Sequence, residues 1–487
     1  MLTVLKVGAR NTGKGGQQAM NQTGASKPES PQSAAVEART EARTENGPQE
    51  NSRHQEKKRS PVRRFLGLLG PGLVTGSADD DPSGIATYAQ AGATFSNGML
   101  WTVPVTLPLM MAVQEICDRT ALATGDSLGK LARRKFTRKP RVMIAILIVA
   151  LLAANTLNAA ADLMAIGQGM QLLGAGPDRL WSIVAGVGIA VVLMAGGFEI
   201  ISKVFKWLCL SLLAYVAVLF VAKVDWGDVL AGVLGLQFRP SLEYLSLIVA
   251  VLGTTISPYL FFWQSADRIE ELREEPRGGD HAIGLEEQSP GSGGHKLRNA
   301  RADVFVGMFF SVLVMFSITA ATAATLGRNG TDVKTAADAA KALEPIVGPA
   351  AKFLFAAGFI GSGILAVPVL AASGSAGLAG LLGKQWGFDK KPSKAPVFYL
   401  LLGVGTIGGV IVTFFTTDPI GLLILSAVIN GIAAAPFLIV TMLIARDKDI
   451  MGKYRNGKLA STIGWFTTAV MVVAGVIGIW TTVTGTG

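Results

Sequence analysis

The stretch that decides the fold is Asp79-Asp80-Asp81-Pro82-Ser83-Gly84, within the run FLGLLGPGLVTGSADDDPSGIATYAQAGATF of residues 65–95. The run is otherwise apolar and long enough to cross a membrane. At the centre of a bilayer each Asp costs about 2.5–3.5 kcal/mol. A membrane helix that keeps three of them beside a proline and glycines indicates a broken helix at a site for ions, protons or charged partners.

The composition supports an integral membrane protein. Of 487 residues 50% are hydrophobic and 16% are charged, and the mean hydropathy is +0.44. The net charge of +10 is scattered between apolar segments instead of forming one stripe, which argues against a nucleic-acid partner. The cysteines, Cys117 and Cys209, lie in or beside apolar segments, so no disulfide framework or thiolate cluster is expected. The predicted cytoplasmic loops carry no catalytic constellation, so the sequence predicts neither an enzyme nor a bound cofactor.

Apolar segments of spanning length recur along the chain from residue 64 onward. They lie near 65–92, 98–118, 142–170, 180–198, 203–222, 245–264, 303–326, 348–378, 396–416, 419–444 and 460–484. Basic residues concentrate in alternate loops, which predicts a cytoplasmic N-terminus and, after eleven spans, an external C-terminus in a multi-pass protein of the cell membrane. Residues 1–60 are polar and charged and are predicted to form a disordered cytoplasmic tail without a cleaved signal.

A long charged loop, residues 265–302, separates five spans from the next five. Because five is odd, the second half must run in the opposite orientation, as in inverted-repeat transporters. The sequence therefore predicts an all-α membrane protein with a first repeat over 61–225, a second over 240–445 and an eleventh span within 459–487.

The second half has its own break, GTTISPY, at residues 253–259. Pro258 removes a backbone donor and Gly253 weakens the helix, so carbonyls are free to face a cavity. The carbonyls of Ala78 and Thr254 are the candidates, one beside each break. No Lys or Arg lies at the centre of any span to neutralise Asp81, and a cation from solution is the simplest partner.

Three stretches resemble the Nramp-type divalent metal transporters. GPGLVTG…DDPSGIATYAQAGA resembles their first helix, QEICDRTALATGDSLGKL at residues 114–131 resembles the stretch after their second helix, and GTTISPY stands where they have Met-Pro-His. The resemblance covers about residues 64–485. It implies a LeuT-like 5+5 inverted repeat whose helices 1 and 6 are broken at the midplane, and transport of transition-metal ions together with protons.

The departures from the family pattern fall on the implied metal ligands. The metal-binding Asp falls on Asp81 and the helix-breaking proline on Pro82, but the family's Asn falls on Gly84, its Met on Ser257 and its His on Tyr259. Without the Met thioether the site should favour hard cations over softer transition metals, and without the Asn side chain it is expected to be larger. The pattern resembles the Nramp-related magnesium transporters and implies transport of Mg²⁺, also Mn²⁺, as the cargo.

The proton path that the resemblance implies is incomplete. Asp162 on the third span matches an acidic residue of the family, whereas Ala165 stands where a Glu is expected. The histidines, His54, His281 and His295, lie in the tail and the long loop. Proton coupling is therefore expected to be absent or weak.

Other polar residues within the spans have two possible roles. Asn155, Asn158 and Asn430 line the ion path or make interhelical hydrogen bonds. Asp79 and Asp80 point away from Asp81 if the turn stays helical, so both cannot face the same ion and they are candidates for the path or the vestibule.

Other functions remain open from the sequence. They are a proton-coupled Mn²⁺ or Fe²⁺ importer of the standard type, a carrier of organic solutes, and a receptor that kept the fold and lost transport. The expected partners are divalent ions and the lipid bilayer, and a monomer suffices for transport.

Overall fold

The computed structural model describes residues 70–484 apart from 196, 223, 239, 277, 280, 289–292, 328–349 and 417. Within these ranges every regular element is a helix, as predicted. The predicted disordered tail 1–60, the first residues of spans one and eight, and the C-terminal residues 485–487 lie outside the described part of the chain.

The described residues of the first predicted repeat form eight α-helices, and a ninth follows the repeat. They are α1 Pro71–Asp79, α2 Pro82–Phe95, α3 Thr102–Thr124, α4 Leu128–Lys135, α5 Arg138–Leu172, α6 Asp178–Ala195, α7 Phe198–Leu208, α8 Leu213–Val221 and α9 Trp226–Val233. A 3₁₀ turn, Ser96–Met99, follows α2, and a second one, Cys209–Leu212, joins α7 to α8. Helices α7 and α8 together therefore make the fifth span.

Eight more helices lie among the described residues from 242 to the end of the last span. They are α10 Leu242–Thr255, α11 Pro258–Glu274, α12 Gly293–Thr325, α13 Ala350–Leu382, α14 Pro396–Val412, α15 Pro419–Ala445, α16 Lys448–Met451 and α17 Lys458–Thr484. The 3₁₀ turn Gly452–Tyr454 connects α16 toward α17.

Each of the eleven predicted spans has a helix or a broken pair of helices. Among the described residues eight helical segments are long and apolar enough to cross a membrane by themselves. Helices α2 and α3 qualify as a pair bent by 113°, and α14 is a shorter apolar helix. Within the predicted cytoplasmic loop 265–302, α11 continues to Glu274 and α12 begins at Gly293. Charged residues outside the bilayer extend a helix at little cost, and hydropathy alone cannot mark that boundary.

The first span is interrupted between Asp79 and Pro82. Asp80 (φ −86°, ψ 49°) ends α1, and Asp81 (φ −68°, ψ 170°) is extended at the N-terminus of α2. Pro82 is the first residue of α2, where a missing N–H breaks no helical hydrogen bond. The predicted break is therefore confirmed, and it spans two residues.

The sixth span repeats this pattern. Ile256 (φ −121°, ψ 52°) ends α10, Ser257 (φ −77°, ψ 137°) is extended, and Pro258 opens α11. Both breaks therefore have the same order: a residue that ends one helix, an extended residue, and a proline that begins the next helix. Matching breaks in the two halves are expected of an inverted repeat.

Gly253 is not part of the break, contrary to the sequence prediction. Helix α10 continues through Thr255. A methyl group at Gly253 would lie 2.0 Å from the carbonyl oxygen of Ala427 and 2.6 Å from the amide nitrogen of Gly431, both on α15. The glycine therefore allows two backbones to approach closely, a role that small residues have in membrane helix pairs.

Close backbone contact also fixes α1 on α12. A methyl group at Gly76 would lie 2.1 Å from the Gly307 carbonyl oxygen, and one at Gly307 would lie 1.9 Å from the Gly72 carbonyl oxygen. Helix α2 packs on the same partner, α12. Both halves of the broken span are therefore held against α12, which positions the unwound residues between them.

The outer face of the bundle is apolar. Large side chains on α5, α6, α14 and α17 are exposed, among them Ile146 (64%), Val191 (60%), Leu400 (66%) and Val476 (62%). In water such surfaces would be unfavourable, whereas lipid tails solvate them. The exposed apolar faces agree with a multi-pass membrane protein.

Candidate metal-ion site

The carboxylate of Asp81 is the centre of a buried polar cluster. Its Oδ1 accepts hydrogen bonds from the Ser83 hydroxyl (2.5 Å) and from the Gly84 amide (2.7 Å). The second bond is the N-terminal cap of α2, which satisfies one of the unpaired amides of a helix start. The local sequence Asp-Pro-Ser-Gly thus holds the carboxylate at the break, with 1% of the residue exposed.

Tyr259 joins the two broken helices. Its hydroxyl lies 3.0 Å from the carbonyl oxygen of Ala78 on α1 and 3.3 Å from Oδ2 of Asp81. The Tyr259 side chain is fully buried. Tyr259 stands where the family pattern has His. It therefore contacts both the Asp81 carboxylate and the Ala78 carbonyl, which is a predicted ligand.

Asn158 on α5 connects Asp81 to α15. Its amide nitrogen donates to Oδ2 of Asp81 (2.9 Å), and its carbonyl oxygen accepts from the Ser426 hydroxyl (2.5 Å). Asn155, one turn earlier, donates instead to the Leu370 carbonyl on α13 (2.8 Å). Of the two predicted roles for these residues, Asn155 has the interhelical one and Asn158 contacts Asp81.

Thr254 precedes the second break, and Ser257 is part of it. The Ser257 hydroxyl is within 2.9 Å of the Thr254 carbonyl and 2.5 Å of the Gly253 carbonyl, so these predicted ligands are paired with each other. The Thr254 hydroxyl has no protein partner. It lies 3.1 Å from where a Cβ at Gly84 would be. Thr254 therefore offers its side chain as well as its carbonyl.

Gly84 lies close to three neighbouring groups. A Cβ there would lie 3.1 Å from the Asp79 carbonyl oxygen and 3.4 Å from the Tyr88 ring, in addition to the Thr254 contact. A Cβ at this position would therefore be tightly packed against three neighbours. The sequence could not predict this, because the neighbours come from α1, α2 and α10.

Asp79 and Asp80 face a different helix. The Ser311 hydroxyl on α12 lies 2.6 Å from Oδ2 of Asp79 and 3.5 Å from Oδ1 of Asp80. The other oxygen of each carboxylate has no protein partner, although both residues are fully buried. The prediction that the three aspartates do not share one direction agrees with these contacts.

Two further predicted residues have unpartnered oxygens. Both carboxylate oxygens of Asp162 and the side-chain oxygen of Asn430 lack a protein hydrogen bond, and both residues are at most 1% exposed. Asp162 lies one turn beyond Asn158 on α5, and Asn430 lies one turn beyond Ser426 on α15. Unpaired oxygens thus continue away from the Asp81 cluster along two helices.

Charge distinguishes this region from an ordinary helix contact. Asp79, Asp80, Asp81 and Asp162 are buried, and none of them forms an ion pair with a Lys or Arg of the described ranges. Unpaired buried carboxylates are unfavourable unless protons or cations join them. No group of three or more His, Cys, Asp or Glu side chains converges on one point in the described residues. A cation here would therefore depend on Asp81 with neutral oxygen donors.

A second polar network holds the start of α1. Arg268 on α11 binds both oxygens of Asp118 on α3, with Nε–Oδ1 2.7 Å and Nη2–Oδ2 3.2 Å, and its Nη2 lies 3.5 Å from Oδ2 of Asp303 on α12. Asp303 in turn accepts from the amides of Gly70 (2.9 Å) and Gly72 (2.8 Å). Any movement of α1 away from α12 must break these bonds.

Sequence comparison agrees with this architecture. The family model described as natural resistance-associated macrophage protein-like, Nramp, matches residues 72–481. The chain belongs to the Nramp family. It is 27% identical over 423 residues to the divalent metal cation transporter MntH of Deinococcus radiodurans, covering 85% of this chain and 89% of that protein. Over 426 residues it is 27% identical to MntH of Aeromonas hydrophila, covering 85% and 95%.

Solved structures share the fold. The Eremococcus coleocola manganese transporter, in complex with an aromatic bis-isothiourea substituted compound, superposes with a TM-score of 0.68 at 16% identity, covering 86% of this chain and 87% of that one. A nucleobase-cation-symport-1 family transporter gives 0.51 at 16% identity, covering 84% and 90%. The predicted LeuT-like fold and the predicted Nramp resemblance are confirmed, and this Nramp chain is a transporter and not an enzyme.

Sequence reasoning missed three residues of this region. Ser426 lies four residues before Asn430, a helical spacing that could have indicated it. Ser83 stands inside the quoted motif, next to the proline, at a position where a hydroxyl can reach the capping carboxylate. Ser311 is one of two serines in its apolar span, and no sequence signal relates it to Asp79.

Proposed function

We propose that this Nramp-type divalent metal cation transporter imports Mg²⁺ across the cell membrane by alternating access, accepts Mn²⁺, and moves no stoichiometric protons. The observation that carries the proposal is the chemistry around Asp81. The side chains that contact its carboxylate are the hydroxyls of Ser83 and Tyr259 and the amide of Asn158. Oxygen ligands suit Mg²⁺ and Mn²⁺, whereas a thioether favours softer metals.

The proposed ligands are Asp81 with the carbonyls of Ala78 and Thr254 and the hydroxyl of Ser257, with Gly84 holding the carboxylate through its amide. In the structure the Ala78 carbonyl accepts from the Tyr259 hydroxyl, and the Thr254 carbonyl accepts from the Ser257 hydroxyl. A cation entering between the broken helices would replace these hydrogen bonds. Mg²⁺ dehydrates reluctantly, so retained waters would bridge the remaining distances.

The absence of proton coupling rests on Tyr259. A phenol holds its proton near neutral pH, so it donates to Asp81 and cannot relay protons as an imidazole does. The described histidines, His281 and His295, are exposed and remote in sequence from both breaks. The positions that would supply His and Glu in the family pattern are Tyr259 and Ala165.

The membrane potential is sufficient to drive uptake. A divalent ion that moves inward through about 100 mV gains roughly 4.6 kcal/mol, because each unit charge gains about 2.3. At about 1.4 kcal/mol per tenfold, this supports a gradient of about two-thousandfold. A free Mg²⁺ ion therefore needs no coupled proton.

Alternating access would use the broken helices as moving parts. With the N-terminus in the cytoplasm, as the basic loops indicate, the start of α1 faces inward. Opening inward would release the bonds of Asp303 to Gly70 and Gly72 and expose Asp81 from that side. The unpartnered oxygens of Asp162 and Asn430 would then line the rest of the path, and Asp79 and Asp80 would line its α12 side.

A second candidate is a proton-coupled Mn²⁺ or Fe²⁺ importer. One observation favours it. Asp162 is fully buried with both oxygens unpartnered, one turn from Asn158, and such a carboxylate can carry a proton.

The two candidates differ in ion selectivity. Uptake into liposomes that contain the purified chain should saturate with Mg²⁺, be inhibited by Mn²⁺ and be only weakly inhibited by Cd²⁺. Ser257→Met should strengthen inhibition by Cd²⁺, because it adds a soft ligand at the second break. Uptake of Mn²⁺ and Cd²⁺ without any uptake of Mg²⁺ would refute the magnesium proposal and favour the second candidate.

A further inference from the structure

A basic cavity lies between the end of α15 and the start of α17, and none of the proposed ion ligands lines it. It has a volume of about 890 Å³. Its lining includes four cationic side chains, two hydroxyls and one indole: Arg446, Lys453, Arg455, Lys458, Ser461, Thr462 and Trp465. No acidic side chain lines it among the described residues.

The four cations are not neutralised by the protein. None of them forms an ion pair with an Asp or Glu of the described ranges. Of the acids near the loop between α15 and α17, Asp447 pairs with Lys135 and Glu286 lies against Gly452. Four positive charges around one space without a counter-charge bind phosphate groups well, since Arg and Lys both do so.

The cavity continues along one face of α17. Lys458, Ser461 and Trp465 are three and four residues apart, so they lie above one another on that helix. This order presents a cation first, then a hydroxyl, then an indole. Trp side chains concentrate at the level where lipid headgroups meet acyl chains.

The same helix is open to lipid. Phe466, next to Trp465, is 60% exposed, and Val473 and Val476 are 59% and 62% exposed. An amphiphile whose phosphate fills the cavity could thus lay its acyl chains along α17. A small soluble anion would use the cations but not this apolar face.

We propose that the basic cavity binds the phosphate headgroup of an anionic phospholipid of the cytoplasmic leaflet. The basic loops place this end of α15 and α17 on the cytoplasmic side, where anionic lipids attract basic juxtamembrane segments. The inference depends on that orientation and not on which metal ion is transported.

The experiment compares lipids on the purified full chain. Native mass spectrometry should show one phosphatidylglycerol molecule retained at least tenfold more tightly than phosphatidylcholine. The double variant Arg455→Gln with Lys458→Gln should lose this preference. The matched control, Lys391→Gln with Lys394→Gln, removes two exposed charges from the loop after α13 and should keep it.

Three results would overturn the proposal. The first is equal retention of both lipids by the unchanged chain. The second is an equal loss of the preference for phosphatidylglycerol in the two double variants, which would mean unspecific attraction by surface charge. The third is competition by inorganic phosphate or glycerol phosphate at the concentration at which the lipid binds, which would indicate a soluble anion. Size-exclusion elution of each variant establishes that it is folded. Metal uptake, measured separately, distinguishes failure of this site from failure of the proposed transport function.

Discussion

Replacing Asp81 by Asn should abolish metal transport and leave the protein folded. Ser83 and Gly84 donate to one carboxylate oxygen, and Asn158 and Tyr259 donate to the other. An amide can offer an acceptor on one side only, so two of these bonds are lost. At about 1.5–3 kcal/mol for each bond to a charged group, the loss is about 3–6 kcal/mol. Removing a buried charge returns several kcal/mol, so most of the loss is offset.

The substitution should weaken binding of the cation much more than it destabilises the fold. A divalent cation about 4 Å from a carboxylate gains about 8 kcal/mol at an effective dielectric constant of 20. Losing one third of that interaction already lowers occupancy about a hundredfold. Uptake of Mg²⁺ or Mn²⁺ into liposomes should therefore fall at least a hundredfold in Asp81→Asn, while its size-exclusion profile stays that of the unchanged chain.

The chain contains a matched control for this substitution. Asp418 begins α15 in the sequence Asp-Pro-Ile-Gly, is exposed, and accepts a hydrogen bond from the Gly421 amide (3.0 Å), as Asp81 does from Gly84. Asp418→Asn changes the same cap away from the buried cluster and should transport normally, because Asn caps a helix as well as Asp. Near-normal uptake by a folded Asp81→Asn variant, or an equal loss in Asp418→Asn, would refute the assignment of the site.

Three other predictions follow from single contacts. Gly253→Ala puts a methyl group 2.0 Å from a backbone oxygen of α15 and should lower the free energy of unfolding by about 1–3 kcal/mol. Gly403→Ala, where a methyl group meets open space, should leave it unchanged. Equal melting temperatures of the two variants in detergent would contradict the role of Gly253 in the close approach of α10 and α15. Tyr259→His puts an imidazole beside the Asp81 carboxylate and should make metal uptake depend on pH between about 5 and 8. The unchanged chain should lack this dependence. The same pH profile in both would contradict the claim that the Tyr259 phenol prevents proton transfer. The hydrogen bond from Lys135 lowers the pKa of Asp447, so this contact stabilises the fold above the unfolded pKa of about 3.9 and stops doing so as pH falls through the lower folded pKa. Between about pH 6 and pH 3 the free energy of unfolding should therefore decrease less steeply for Asp447→Asn than for the unchanged chain. Equal slopes would rule that contribution out.

The helix breaks were predictable because their chemistry is local. A proline next to a carboxylate or a hydroxyl in an apolar run specifies where one helix stops and the next begins, without reference to any neighbour. The structure has breaks at Asp80–Asp81 and at Ile256–Ser257, inside the two motifs singled out. Gly253 was assigned wrongly because a glycine in an apolar run can either weaken a helix or admit a neighbouring backbone, and only the packed bundle distinguishes the two.

The neighbours of the site were less predictable because they depend on helix rotation. Asn155 and Asn158 are less than one turn apart on α5, yet one contacts α13 and the other contacts Asp81. The space beside Gly84 is likewise bounded by groups from α1 and α10 as well as from its own helix. Sequence patterns give the face of a helix to within about a quarter turn, which does not decide between adjacent partners.

The most direct test of the central claim follows Mg²⁺ and protons at once. Purified chain in liposomes, with a Mg²⁺-sensitive dye and a pH-sensitive dye inside, is given external Mg²⁺ and an inward-negative potassium diffusion potential. The account predicts that Mg²⁺ enters at a rate that rises with the potential while the internal pH stays flat. Acidification that tracks Mg²⁺ entry and vanishes when Asp162 is replaced by Asn, or no entry of Mg²⁺ where Mn²⁺ enters, would contradict it.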